Sequence, residues 1–264
     1  VRFPQVTVTG TENVMLAATL ARGTTTIENA AREPEVTDLA ELLSSMVARI
    51  SGAGTGTVVV EGVESLHGTP APHAVLADRI EAGTYAVAAA ITAGDVTLEG
   101  AREEDLPAFV AALRAAGVEI SPTAAGLRVR RSGPLRPVDV ETAPHPGYPT
   151  DLQAQWMALM TQAEGTSRLV ETIFENRFLH AAELVRLGAN VRVEGHSAHV
   201  TGPSRLEGAT VTASDLRASA ALVLAALVAE GETLVRRIYH LDRGYAAMEQ
   251  RLTALGARVS RVAG

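Results

Sequence analysis

"SDLRASAALVLAALVAEG" occupies residues 214–231. From Ala218 to Ala229 nearly every position is apolar, whichever helical face it would occupy. A surface helix keeps one polar face, so this one reads as a helix wrapped by protein on all sides. It closes on Gly231 and runs at once into β-forming residues, "ALVAEGETLVRRI" (226–238). The same passage occurs three times earlier, as "ATLARGTTTIENA" (18–30), "AAITAGDVTLEGA" (89–101) and "ALMTQAEGTSRLVET" (158–172). The glycines are Gly23, Gly94, Gly165 and Gly231, spaced 71, 71 and 66 residues apart. A period of this kind marks repeated supersecondary units. Glycine after the last helical residue can take the left-handed conformation that ends a helix.

A second helix follows each time at a similar distance. The four copies are "TDLAELLSSMVARIS" (37–51), "EDLPAFVAALRAAGVEI" (104–120), "LHAAELVRLGANVRV" (179–193) and "YAAMEQRLTALGARV" (245–259). Their apolar residues recur at three-to-four spacing with charges between, the pattern of amphipathic helices. Three close on glycine, at 117, 188 and 256, before a short β-branched strand. A further strand and turn then lead to the next apolar helix, in "GTVVVEGV", "GLRVRRS" and "AHVTGP". Each unit therefore predicts helix, strand, helix, strand, turn, strand, which is α/β class. Because the first helix of each unit is the apolar one, the helices are expected inside and the sheets around them, the inverse of a barrel with inner strands.

Composition agrees with a large packed core. The chain has 264 residues, 47% hydrophobic and 20% charged, but only 3% aromatic, so the core must be built from Ala, Val, Leu and Ile. The formal net charge of −7 argues against a nucleic-acid surface. Absence of cysteine excludes disulfides and a thiol nucleophile within these residues and favours a cytoplasmic protein. The apolar run 218–229 is too short for a membrane span of about 20 residues. "SGAGTGT" (51–57) follows a helix and precedes a strand, the reverse of the dinucleotide fingerprint, and reads as helix termination and turn. The seven histidines show no metal-ligand spacing.

Polar residues gather at the helix starts. Thr150 or Asp151 can cap "PTDLQAQ", Thr212 or Ser214 can cap "TASDLRASAA", and Gly83 and Thr84 stand at the start of "GTYAVAAAI". Converging helix N-termini make an anion site from unpaired N–H groups alone. Capping accounts for Thr150, Ser214 and Asp215. Arg217 opposes the helix dipole and calls for a carboxylate or phosphate partner. "ETIFENRFLH" (171–180) sets Glu175, Asn176 and Arg177 at a strand-to-helix junction, and "YHLDRGYAAMEQ" (239–250) sets His240, Asp242 and Arg243 at the equivalent one. Arg177 and Arg243 thus occupy matching places, either as forked anion ligands or as structural ion pairs, Arg243 with Asp242 or Glu249 for instance.

The stretches "TENVMLAA", "GTTTIENAAREPEVTDLAELL", "DRIEAGTYAVAAA", "TAPHPGYPTDLQAQ", "ETIFENRFLHAAEL", "SDLRASAALVLA" and "RIYHLDRGY" resemble the UDP-N-acetylglucosamine enolpyruvyltransferases (1-carboxyvinyltransferases), in order and spacing, from about residue 5 to the end. The shikimate-pathway enolpyruvyl transferases share the fold but not "AREPEVTD" or "APHPGYPTDLQAQ". The resemblance implies an inside-out α/β barrel of two three-repeat domains and no metal or organic cofactor. The implied reaction transfers enolpyruvyl from phosphoenolpyruvate to the 3′-hydroxyl of UDP-N-acetylglucosamine, releases phosphate and opens peptidoglycan synthesis. By the same resemblance Asp151 is the base that hydrogen-bonds the sugar hydroxyl, and Ile173 contacts the nucleotide-sugar through its backbone. Arg177 stands near the reacting centre, Asp215 shares proton transfer, Arg217 supports the same motif and Arg243 clamps phosphoenolpyruvate. Val6, Thr7, Val8, Thr9 and Gly10 form the loop at the uridine end. The family's N-terminal part, with a Lys–Asn pair and a Cys or Asp loop, has no counterpart here. The chain is therefore expected to be a C-terminal portion: one repeat of the loop-bearing domain (1–75) and the three-repeat domain (76–264). A nucleotide-sugar-binding fragment or paralogue without catalysis is the alternative, as is a shikimate-type enzyme.

Overall fold

The computed structural model describes residues 1–262, which divide into two compact units. The smaller comprises Val1–Ala77 with Pro144–Gly147, and the larger comprises Asp78–Ala143 and the chain from Tyr148 onward.

The smaller unit runs α1 (Val8–Thr19), β1 (Thr24–Glu28), α2 (Pro34–Ser45), β2 (Arg49–Ser51) and β3 (Thr57–Glu61). Its antiparallel sheet has the order β1-β3-β2. Thr7 caps α1 by accepting from the Gly10 N–H at 3.2 Å, so Val8, Thr9 and Gly10 are the first turn of a helix rather than a loop; Val6 and Thr7 alone precede it. Met15, Ile27, Val36, Leu43, Val58 and Val60 form the core. Here α1 buries one stripe and leaves Leu16 exposed, as is Leu20 just beyond its end. The unit has only one helix of this kind, so no sister helix wraps it. "SGAGTGT" is the link between β2 and β3, with Gly52 and Gly54 at positive φ, and not a helix end.

The larger unit repeats the plan. α3 (Arg79–Ile91), β4 (Asp95–Glu99), α4 (Pro107–Ala115), β5 (Glu119–Pro122) and β6 (Gly126–Arg130) come first. β7 (Val140–Glu141), α5 (Gln153–Met160), β8 (Gly165–Val170), α6 (Leu179–Arg186), β9 (Asn190–Glu194) and β10 (Ser197–Gly202) follow. β11 (Thr210–Thr212), α7 (Leu216–Ala226), β12 (Leu234–Arg236) and α8 (Met248–Ala254) complete it. The first sheet has the order β4-β6-β5 and the second β7-β8-β10-β9, so the last strand of each repeat lies centrally, as in the smaller unit. β7 and β11 each join parallel to the strand beyond the next helix, β8 and β12. No strand follows Gly256 among the described residues, contrary to the repeat: its counterparts β2, β5 and β9 each pair with the strand that comes next, β3, β6 and β10, and no such strand is present among the described residues here.

The three apolar helices α3, α5 and α7 pack on one another, and the sheets lie outside them. Every residue of α5 is buried, including Trp156, Met157 and Met160. Trp156, Tyr148 and Phe109 meet edge to face, with centroids 5.8–6.2 Å apart. α3 begins a turn earlier than Gly83 and Thr84 suggest, because Asp78 caps it by accepting from the Ile80 and Glu81 N–H groups. Gly83 serves contact instead: a Cβ there would stand 2.5 Å from the Leu152 side chain.

Of the four repeat glycines, Gly23 and Gly231 take left-handed φ values (86° and 92°). At the second position Ala93, not Gly94, carries the positive φ, and Gly165 at 141° opens β8 rather than closing a helix.

Candidate functional site

The larger unit gathers its polar side chains where the N-terminal ends of α3, α5 and α7 meet. Residues Thr150–Leu152 form a single 3₁₀ turn ahead of α5. Neither Thr150 nor Asp151 caps the helix. Asp151 Oδ1 accepts from Arg177 Nη2 at 3.0 Å and lies 3.3 Å from Arg217 Nε. Its Oδ2 accepts no hydrogen bond from the described residues, and the side chain is 40% exposed. Arg217 thus finds the carboxylate that its place in the first turn of α7 demands.

Arg217 is held from beneath. Its Nη1 donates to the Tyr245 hydroxyl at 3.2 Å, with the guanidinium 5.7 Å from the ring centroid. The Tyr245 and Thr84 hydroxyls are 2.9 Å apart, and Gln155 Nε2 donates to Thr84 Oγ1 at 3.0 Å. Thr84 gives its single proton to the Ile80 carbonyl, which leaves Tyr245 as the donor toward Thr84. One buried network therefore touches all three central helices.

Asp215, rather than Thr212 or Ser214, caps α7. Its Oδ1 accepts from the Arg217 and Ala218 N–H groups at 2.9 Å each, and Ser214 donates to its Oδ2 at 3.0 Å. Burial pushes its pKa up, but the hydrogen bonds from Ala218, Ser214 and Arg217 and the charge of Arg177 outweigh this and hold it below the usual carboxylate value. Both its oxygens are engaged within the fold.

Arg177 ends a turn in which Asn176 takes a left-handed φ of 54°, and its guanidinium stacks 4.7 Å from the Phe174 ring centroid. The Ile173 N–H donates to Glu171 Oε1 at 2.8 Å, so a ligand contact by the Ile173 backbone is left to its carbonyl. Glu171 and Thr150, which donates to Glu171 Oε2, belong to the site's support; a lone glutamate after a strand gave no signal in the sequence. Arg243 lies exposed at the end of the 3₁₀ turn Ile238–Arg243 and makes no ion pair among the described residues. Asp242 and Glu249, its expected partners, bind Arg261 instead. Val6, Thr7, Val8, Thr9 and Gly10 are in the smaller unit.

The sequence matches the family model of EPSP synthase (3-phosphoshikimate 1-carboxyvinyltransferase) over residues 1–252. The chain belongs to this family. Within it, the chain is 58% identical, over its whole length, to the UDP-N-acetylglucosamine 1-carboxyvinyltransferase of Afipia carboxidovorans, spanning 61% of that protein. It is 61% identical to the enzyme of the same name from Sorangium cellulosum, over 99% of this chain and 62% of the relative. The chain thus spans about three fifths of the length of these curated relatives. Among solved structures, the enolpyruvyl transferase NikO from Streptomyces tendae superposes with a TM-score of 0.86 at 32% identity, over 95% of this chain and 59% of that one. The EPSP synthase of Acinetobacter baumannii gives 0.75 at 19% identity over 99% of this chain and 63% of its own, a likeness of fold alone. No helix among the described residues is long and apolar enough to cross a membrane.

Proposed function

We propose that the complete protein carrying this chain transfers the enolpyruvyl group of phosphoenolpyruvate to the 3′-hydroxyl of UDP-N-acetylglucosamine and releases phosphate. The observation that carries the reading is Asp151: one oxygen is fixed by Arg177 and Arg217, and the other is free at an accessible face. Relatives at 58–61% identity carry the name of this activity. The free oxygen receives the hydroxyl proton as the hydroxyl oxygen bonds to C2 of the enol and C3 takes up a proton, giving a tetrahedral intermediate; loss of a C3 proton as the C2–O bond to phosphate breaks then restores the double bond and releases phosphate. Arg177 and Arg217 keep the carboxylate aimed, Arg243, which makes no ion pair among the described residues, supplies a cation for the phosphoenolpyruvate anion, and Asp215, with both oxygens engaged, supports the proton transfer by fixing the first turn of α7 and with it Arg217. The Ile173 carbonyl receives the nucleotide-sugar. The smaller unit is then one repeat of a second domain (1–75), and the larger is the three-repeat domain (76–264). A cytoplasmic reaction goes with this reading, since multiply charged substrates stay in the compartment where they are made.

The test is Asp151→Asn in the complete protein. Loss of a positioned base costs about 10²–10⁴ in turnover, with the fold intact by circular dichroism. A variant with near-normal kcat would remove Asp151 from that role.

A further inference from the structure

Glu171 follows β8 directly and is 1% exposed. A carboxylate so deeply buried is costly unless its oxygens are fully hydrogen-bonded. Here four donors from three segments meet it. Oε1 accepts from Thr142 Oγ1 at 2.9 Å, from the Ile173 N–H at 2.8 Å and from the Phe174 N–H at 3.1 Å. Oε2 accepts from Thr150 Oγ1 at 2.9 Å. A second tie reinforces the first: the Thr172 N–H donates to Thr142 Oγ1 at 2.9 Å, and the Thr172 hydroxyl donates to the Thr142 carbonyl.

The consequence lies in what those donors carry. Thr150 is next to Asp151, and the backbone of Ile173 and Phe174 leads into the turn that ends at Arg177. Both members of the 3.0 Å Asp151–Arg177 pair are therefore anchored to one carboxylate that itself faces no solvent. Hydrogen bonds to an ionised acceptor are about twice as strong as neutral ones, which suits this group to fixing a loop and a helix start against each other. Glu171 has no access to a ligand, so any effect on chemistry must pass through Asp151, Ile173 and Arg177.

We propose that Glu171 is a positioning residue for the acceptor sugar, setting the place of the Asp151 carboxylate and of the Ile173 carbonyl in one device. The proposal rests on the functional reading above. In the complete protein, Glu171→Ala is expected to lower kcat about tenfold and raise KM for UDP-N-acetylglucosamine about tenfold, since misplacement by an ångström costs about 10² overall. KM for phosphoenolpyruvate should stay within about threefold, because Arg243 lies outside the clamp. Glu171→Gln keeps an acceptor for the two N–H groups and offers its amide to the Thr150 hydroxyl, so it should recover most of the loss. Thr150→Val, which removes one donor only, should show the same split at smaller size.

A folded Glu171→Ala protein with unchanged acceptor KM and kcat would overturn the assignment, as would equal rises in both KM values, which mark a general loss of structure. If the alanine variant does not fold, Thr150→Val decides by the same split, and an unchanged acceptor KM there overturns it. Wild-type protein that fails to transfer to UDP-N-acetylglucosamine overturns the reading of the site, and this role with it. Wild-type protein that does transfer, beside unaffected variants, overturns the role of Glu171 alone.

Discussion

His180 is a single residue with a pH signature. It lies in α6 with 3% of its surface exposed, and its Nε2 has no hydrogen-bond partner among the described residues. Burial lowers its pKa to about 4; the nearby Asp215 pulls the value up and Arg177 pushes it down. The ring is neutral in the folded protein at pH 7 and accepts a proton more readily once unfolded. Its effect on stability is therefore absent above the unfolded pKa of about 6.5, and stability is lost as pH falls from there toward 4, at about 1.4 kcal/mol per unit. Urea unfolding between pH 7 and 4 should show this slope, and His180→Gln should flatten it. Equal slopes in the two proteins would mean that His180 is not held neutral. Nothing in the sequence marks His180 as buried, because a histidine in "FLHAAEL" fits either face of an amphipathic helix. Arg217 is the opposite case: its need for an anion was legible from helix polarity alone, although its partner, Asp151, was not.

At the scale of elements, the most legible feature was the end of each amphipathic helix. After α4, α6 and α8 a glycine at φ 95–100° donates its N–H three residues back, and the next N–H reaches five residues back. Both bonds close the helix end, and the positive φ selects glycine. Legibility fails where a side chain answers a tertiary need. Gly83 and Thr84 look like a helix start, yet they are interior residues chosen for the approach of Leu152 and for the Tyr245 network. β7 and β11 have two and three residues, too short for any alternation to register, and the parallel partner fixes them. The Tyr245 network belongs to this scale because it joins α3, α5 and α7. Tyr245→Phe removes one hydroxyl and leaves Thr84, Gln155 and Arg217 each short of a partner in a buried place. The expected loss is about 1–3 kcal/mol of stability, the cost of leaving buried polar groups unpaired. Denaturant titration measures it; a midpoint shift below a few tenths of a kcal/mol would show that water or repacking replaces the hydroxyl.

At the scale of the molecule, the two units have separate hydrophobic cores with no buried residue in common. Multidomain chains commonly depart from a single two-state transition. The smaller core, built around Met15, Ile27 and Val36, should melt first, since small units bury a smaller fraction of their surface. A substitution in that unit can test this separation. α2 ends with the same two hydrogen bonds as the other amphipathic helices, but Val47 stands where they have glycine, at φ 71°. A β-branched residue is strained there, at a cost of about 1–2 kcal/mol, and Val47 is 49% exposed, so removing its side chain gives up little burial. Glycine regains most of that strain less its own entropy, a net gain of about 1 kcal/mol. For a unit of this size that is about 5 °C in Tm. Scanning calorimetry of Val47→Gly should move the lower transition upward by about that amount and leave the upper one in place. A single transition in both proteins, shifted as a whole, would show instead that the two cores unfold as one cooperative body.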